Sequence, residues 1–185
     1  SSASPGSTAA ETTPLQDILV EDGRFKKIGQ RLVAKLATQG MDISSIETID
    51  LEGKLACPPF CDTHLHLDYV FTARKPGAVN ESGTLFEGIQ RWSETKADLT
   101  VDEIKERAKI GIAKEMRHGV QFIRSHADVT DPNLTSLKAL LELKEELKNT
   151  VTLQIVSFPQ EGMYSYEGPH GESGADLVEE GLKMG

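Results

Sequence analysis

The sequence predicts an α/β fold with a parallel sheet, doubly wound or closed into a barrel, of which only the first strands and helices are present. Three observations predict it. From Leu55 onward, short apolar runs alternate with helical periodicity three times over. The stretch 100–118 places apolar residues at helical spacing behind a Thr100/Glu103 capping pair. Each of three predicted strands also turns polar on one face toward its C-terminal end, where parallel barrels keep their active sites. A complete barrel takes about 250 residues. A chain of 185 residues with three or so strands therefore reads as part of a longer protein.

Composition narrows the partners. The formal net charge of -9 lacks the Lys and Arg surplus that phosphate neutralisation needs, which argues against nucleic acid. No apolar run approaches the ~18 residues of a membrane span. Residues 1–14, SSASPGSTAAETTP, lack the basic and apolar regions of a signal peptide and read as a flexible leader or loop. Cys57 and Cys61 are expected as two small buried thiols, too few for a secreted disulfide scaffold, and imply a reducing cytoplasmic compartment.

Taken in order, DILVEDGRFKKIG predicts a hairpin about an Asp22-Gly23 turn. A short helix over 30–39 and a second strand pair over 45–55, around Gly53, are expected next. The first strand of the main sheet spans Leu55–Asp68. A polar loop over 72–83 then leads to a helix over 84–96. The helix over 100–118 stops at Gly119, and Val101, Ile104, Ala108, Ile112 and Met116 line one of its faces. A second strand covers 120–129. Asp131 and Pro132 open a helix with Leu134, Leu137, Leu140 and Leu141 facing inward, ended by Asn149. The third strand is 151–158, and a last helix runs over about 174–184.

Alternation along the first strand puts Phe60, Asp62, His64, His66 and Asp68 on one face, against Cys61, Thr63, Leu65 and Leu67. On the second strand Phe122, Arg124, His126 and Asp128 share a face. His64-Leu-His66 aims two imidazoles the same way, as two ligands of one ion require, and imidazole suits Zn²⁺ or Fe²⁺. The same spacing also fits a purely structural pair; the place at a strand's C-terminal end favours metal. Asp68, His126 and Asp128 are candidates for groups that orient the ligands or line a pocket, with a satisfied half-buried polar cluster as the plain alternative. Asp62 is weighed the same way. His118 and His170 read as structural or exposed.

Several segments resemble one known family. CPPFCDTHLHLD resembles the H-x-H metal motif of the metal-dependent amidohydrolase superfamily, and SGTLFEGIQRW, RSHADV, LKALLELKEEL and LQIVSFPQEG resemble segments of its cytosine deaminases, in the same order, from Leu55 to Gly185. The resemblance implies a (β/α)8 TIM-barrel amidohydrolase fold with a small β-sandwich. The chain then divides into the leader or loop 1–14, part of the sandwich at 15–56, and the first part of the barrel at 57–185. It further implies one divalent ion, Fe²⁺ or Zn²⁺, with His64 and His66 among its ligands. Gln160 corresponds to a glutamine that hydrogen-bonds the pyrimidine, and Leu85 to a position whose backbone contacts the ring. The third histidine, a proton-shuttling glutamate and an aspartate ligand would lie beyond Gly185, so no catalytic acid or base is assigned here.

The activity implied is hydrolytic deamination of cytosine to uracil and ammonia by the full-length protein, with the 185-residue chain inactive by itself. The same fold also serves other rings (isoguanine, creatinine, s-triazines), and a non-catalytic scaffold of this shape is the third reading. The expected partner is a small pyrimidine-like molecule, with neither nucleic acid nor membrane; a homo-oligomer stays open.

Overall fold

The computed structural model describes residues 14–185, so nearly all of the leader expected over 1–14 lies outside the described residues. The chain forms two compact units, the first ending at Cys57 and the second spanning Pro58–Gly185.

In the first unit, β1 (Asp17–Glu21) and β2 (Arg24–Gly29) pair antiparallel. Asp22 and Gly23 join them with φ of 51° and 70°, the left-handed pair that a two-residue hairpin turn demands. Helix α1 (Leu32–Thr38) buries Leu32 and Leu36. Its first amide is capped by the Asp17 carboxylate, whose Oδ2 accepts from the Leu32 N–H at 2.7 Å. The second strand pair does not form. A turn does close at Gly53, where the Lys54 N–H donates to the Leu51 carbonyl at 2.9 Å, but its flanks make no ladder. Ile49 and Leu55 point outward at 74% and 89% exposure, so no apolar face holds those flanks as strands.

The second unit holds a parallel sheet in the order β3-β4-β5, comprising β3 (Phe60–Leu65), β4 (Val120–Asp128) and β5 (Thr152–Phe158). Helices α2 (Leu85–Lys96) and α3 (Val101–Arg117) separate β3 from β4. Helix α4 (Thr135–Glu146) separates β4 from β5, and α5 (Gly174–Lys183) follows. The three strands, each followed by helix, keep the parallel strand-helix alternation that the sequence predicts.

Strand β3 is shorter than expected. Pro58 and Pro59 lack the N–H a ladder needs, so pairing starts at Phe60, and His66 to Asp68 lie past the last strand residue.

Helix α3 carries the full capping box. Thr100 Oγ1 accepts from the Glu103 N–H at 3.2 Å, while Glu103 Oε2 accepts from the Thr100 N–H at 3.0 Å. Its Ile104, Ala108 and Ile112 are buried, with Val101 and Met116 packed at the margin. Helix α4 starts three residues later than expected, because Leu134 turns left-handed at φ 51°. Asp131 caps it from outside, accepting from the Asn133 and Thr135 N–H groups at 3.0 and 2.9 Å. It also ends earlier, at Glu146 rather than Asn149.

β4 and β5 run in unbroken register from Phe122↔Thr152 to Asp128↔Phe158. Paired residues share a face, so Ile123, Ser125 and Ala127 are buried with Leu153 on the helix side. β3 is different. Cys61 is level with Phe122 and Asp62 with Ile123, but an irregularity follows and Leu65 is level with Ser125. The expected grouping of Asp62 with His64 and His66 therefore fails, because a bulge resets the alternation between them. A second irregularity, between Phe60 and Cys61, turns Cys61 to the face of Phe122. Both cysteines are exposed, not buried, with Cys61 on the uncovered face beside Phe122 and Cys57 ahead of the strand.

No described helix is long and apolar enough to cross a membrane.

Candidate functional site

Three histidines meet at the C-terminal ends of β3 and β4. The His64 ring stacks on His126 at 4.1 Å between centroids, and His66 lies 5.2 Å from His64 and 5.6 Å from His126. His66 is also stacked on Tyr69 at 4.6 Å and meets the edge of Phe158 at 5.6 Å. Its Nδ1 lies 3.0 Å from the main-chain oxygen of His126. A carbonyl oxygen only accepts, so Nδ1 carries the proton and Nε2 keeps its lone pair. Burial lowers the pKa of both His66 and His126, with the neighbouring His64 charge adding to each, which favours the neutral imidazole that binds metals.

His64 and His66 thus fit as two ligands of a larger set. Among the described residues, no third His, Cys, Asp or Glu completes a metal-holding group.

Behind the histidines lies a buried carboxylate pair. Asp68 is fully buried, and its Oδ2 accepts from the Asp128 N–H at 2.8 Å. Its Oδ1 has no hydrogen-bond partner, and burial pushes the carboxyl up to about 7. Asp128, 1% exposed, accepts on both oxygens. Oδ1 takes the Thr130 N–H and hydroxyl at 2.8 and 2.6 Å and the Gln160 N–H at 3.3 Å. Oδ2 takes Trp92 Nε1 at 2.7 Å and Lys96 Nζ at 2.9 Å. Neither aspartate bonds a histidine ring; the His126 carbonyl orients His66 instead.

Helix α2 contributes three side chains that sequence reasoning passed over: Trp92, Ser93 and Lys96. Lys96 also pairs with Glu161, which accepts from Ser93 Oγ at 3.0 Å as well. A signal was available, because Trp92 is the sole tryptophan and a buried indole N–H needs an acceptor. Gln160 follows the end of β5 in a half-buried turn beside Asp128. Leu85 is not brought to this cluster by any side-chain contact. It opens α2, about 16 Å along the helix from Lys96 at 1.5 Å per residue, with its side chain 74% exposed.

A clear likeness goes with this geometry. The profile of the Amidohydrolase family matches residues 47–180. The chain belongs to that family. The chain is 33% identical over 122 residues to the N-isopropylammelide isopropyl amidohydrolase of Pseudomonas sp. (strain ADP), covering 64% of this chain and 30% of that one. The structure of 5-methylcytosine deaminase from Klebsiella pneumoniae, liganded with phosphonocytosine, is 39% identical with a TM-score of 0.77, covering 95% of this chain and 40% of that chain. The same deaminase liganded with 5-fluorocytosine also has a TM-score of 0.77. N-isopropylammelide isopropylaminohydrolase from Burkholderia multivorans is 25% identical at a TM-score of 0.63, over 92% of this chain and 39% of that one. The chain therefore spans well under half the length of each of these proteins. Its kinship with cytosine deaminases is as the motifs implied.

Proposed function

We propose that the complete protein hydrolytically deaminates cytosine or a close relative, using His64 and His66 as two ligands of a divalent ion, Fe²⁺ or Zn²⁺. The observation that carries the reading is the convergence of these rings at the C-terminal end of β3, with His66 Nε2 left free. The 39% identity to a deaminase liganded with cytosine analogues supports the substrate class. When bound, such an ion acts as a Lewis acid and makes water a nucleophile near neutral pH. The chain's own part is to hold and orient. His126 sets the His66 tautomer, and Phe158 and Tyr69 flank the ring and fix its orientation. Gln160 offers an amide donor and acceptor to the edge of a pyrimidine. Leu85 would contribute only backbone. The two free thiols suit a reducing cytoplasmic setting.

A second reading keeps the chemistry and changes the ring. The likeness to two N-isopropylammelide hydrolases favours an s-triazine over isoguanine or creatinine. Amine release by the metal-loaded complete protein separates these readings, measured on cytosine, 5-methylcytosine, isoguanine, creatinine and N-isopropylammelide. Turnover of N-isopropylammelide with none of either cytosine would overturn the first reading. No release from any ring, with no stoichiometric metal, would leave a non-catalytic scaffold.

A further inference from the structure

The last turn of α2 holds more polar chemistry than docking a helix requires. Lys96 is 11% exposed, and its Nζ donates to Asp128 Oδ2 at 2.9 Å, to Thr130 Oγ1 at 2.8 Å and to Glu161 Oε1. An ammonium has three N–H donors. All three are taken, so Lys96 has none for a substrate and is not placed to act as nucleophile or base. What it does is mechanical: one charge bridges the segment after β4 to the segment after β5.

That second segment carries Gln160. The Gly162 N–H donates to the Pro159 carbonyl at 2.9 Å, closing a tight turn with Gln160 and Glu161 at its corner. The Gln160 N–H is held by Asp128 Oδ1 at 3.3 Å, and the Glu161 carboxylate by Lys96 and Ser93. Two handles on the turn lead back to Lys96, one directly and one through Asp128, while Ser93 and Ser165 each hold Glu161 without it. We infer that Lys96 is a positioning residue: it locks the 159–162 turn and so sets where the Gln160 amide is presented to the ring. A buried ion pair is weak evidence of a stabilising role. Precision at a substrate-facing turn accounts for keeping one here. The inference rests on the proposed role of Gln160, and its test has an arm that does not.

The test compares the complete wild-type protein with Lys96→Met, Lys96→Arg and Glu161→Gln. In the first arm, amide hydrogen exchange is read without substrate. Lys96→Met should speed exchange at Gln160 and Gly162 on the order of tenfold while α3 amides hold, and Lys96→Arg should restore much of the protection. The second arm reads kinetics on whichever ring the wild type turns over. KM should rise on the order of tenfold, more than kcat falls. Should Lys96→Met unfold, Glu161→Gln answers the same question, because it leaves the Lys96–Asp128 pair in place. Unchanged turn exchange in a folded variant would overturn the inference, as would a kcat loss with KM untouched. A wild type inactive on every ring sinks the proposed function alone, since the exchange arm still decides whether Lys96 holds the turn.

Discussion

His66 is anchored by a main-chain atom of His126, not by its side chain: Nδ1 meets that carbonyl oxygen at 3.0 Å. The two residues lie 60 positions apart, and the contact joins the ends of adjacent strands. Because the acceptor is backbone, replacing the His126 side chain leaves it in place. His126→Ala should therefore weaken Zn²⁺ or Fe²⁺ binding by about tenfold or less, through lost stacking on His64. His66→Ala and His64→Ala should each weaken it by more than about a hundredfold. Metal stoichiometry after equilibrium dialysis checks this. Equal losses in all three variants would mean that the His126 ring is itself a ligand.

Chelation should abolish amine release by the complete protein, and readdition of Zn²⁺ or Fe²⁺ should restore it. Activity that survives exhaustive dialysis against chelator, with no metal found by elemental analysis, would rule out the role given to His64 and His66.

The Asp128 carboxylate makes a sharp stability contrast. Trp92→Phe removes one of its donors but leaves Lys96 on the same oxygen, and should destabilise by about 1–2 kcal/mol. Asp128→Ala leaves the Trp92, Thr130 and Gln160 donors without their acceptor and takes one of the two carboxylates from Lys96, and should cost about 3–5 kcal/mol. Urea unfolding followed by circular dichroism gives both values. A Trp92→Phe loss as large as that of Asp128→Ala would assign the effect to packing rather than charge.

Low pH should loosen the loop before α2. Hydrogen bonds from Ser82, side chain first and then amide, hold Glu87 down to about 2 from an ordinary 4.5, with the Glu81 amide and Arg91 adding. A lowered carboxylate stabilises the fold above its unfolded value. That contribution is lost as pH falls from about 4.5 through about 2. Amide exchange at Ser82 should rise across that window beyond its intrinsic pH trend, and Glu87→Gln should remove the excess.

Gly174→Ala tests the docking of α5. A Cβ there would stand 2.0 Å from the Gly162 carbonyl oxygen, a backbone atom that cannot rotate away. The variant should lose about 1–3 kcal/mol and loosen the segment after Gly162. Gly171→Ala is a useful contrast, because its space is open and only its φ of +88° resists the change.

Much of the fold was legible because its signals are local. The Asp22-Gly23 turn, the Thr100/Glu103 box and the spacing of Ile104, Ala108 and Ile112 each act within a few residues. The failed strand pair at 45–55 shows the limit: a turn signal at Gly53 is local, but strands need a surface to lie on. In the site, His64 and His66 were visible through their spacing, while Lys96 was not. Its partners lie 32, 34 and 65 positions away, beyond the reach of any periodicity.

By itself, the sequence determined the order of strands and helices, the family, and two histidines aimed alike at a strand's end. Those follow from backbone propensity and side-chain period, which short-range sterics set. Tertiary structure alone decided the register slip between Asp62 and Leu65, the anchoring of His66 on the His126 carbonyl, and the convergence of Trp92 and Lys96 on Asp128. Each depends on how distant segments come level in the sheet, a choice made by packing the whole unit and not by any local pattern.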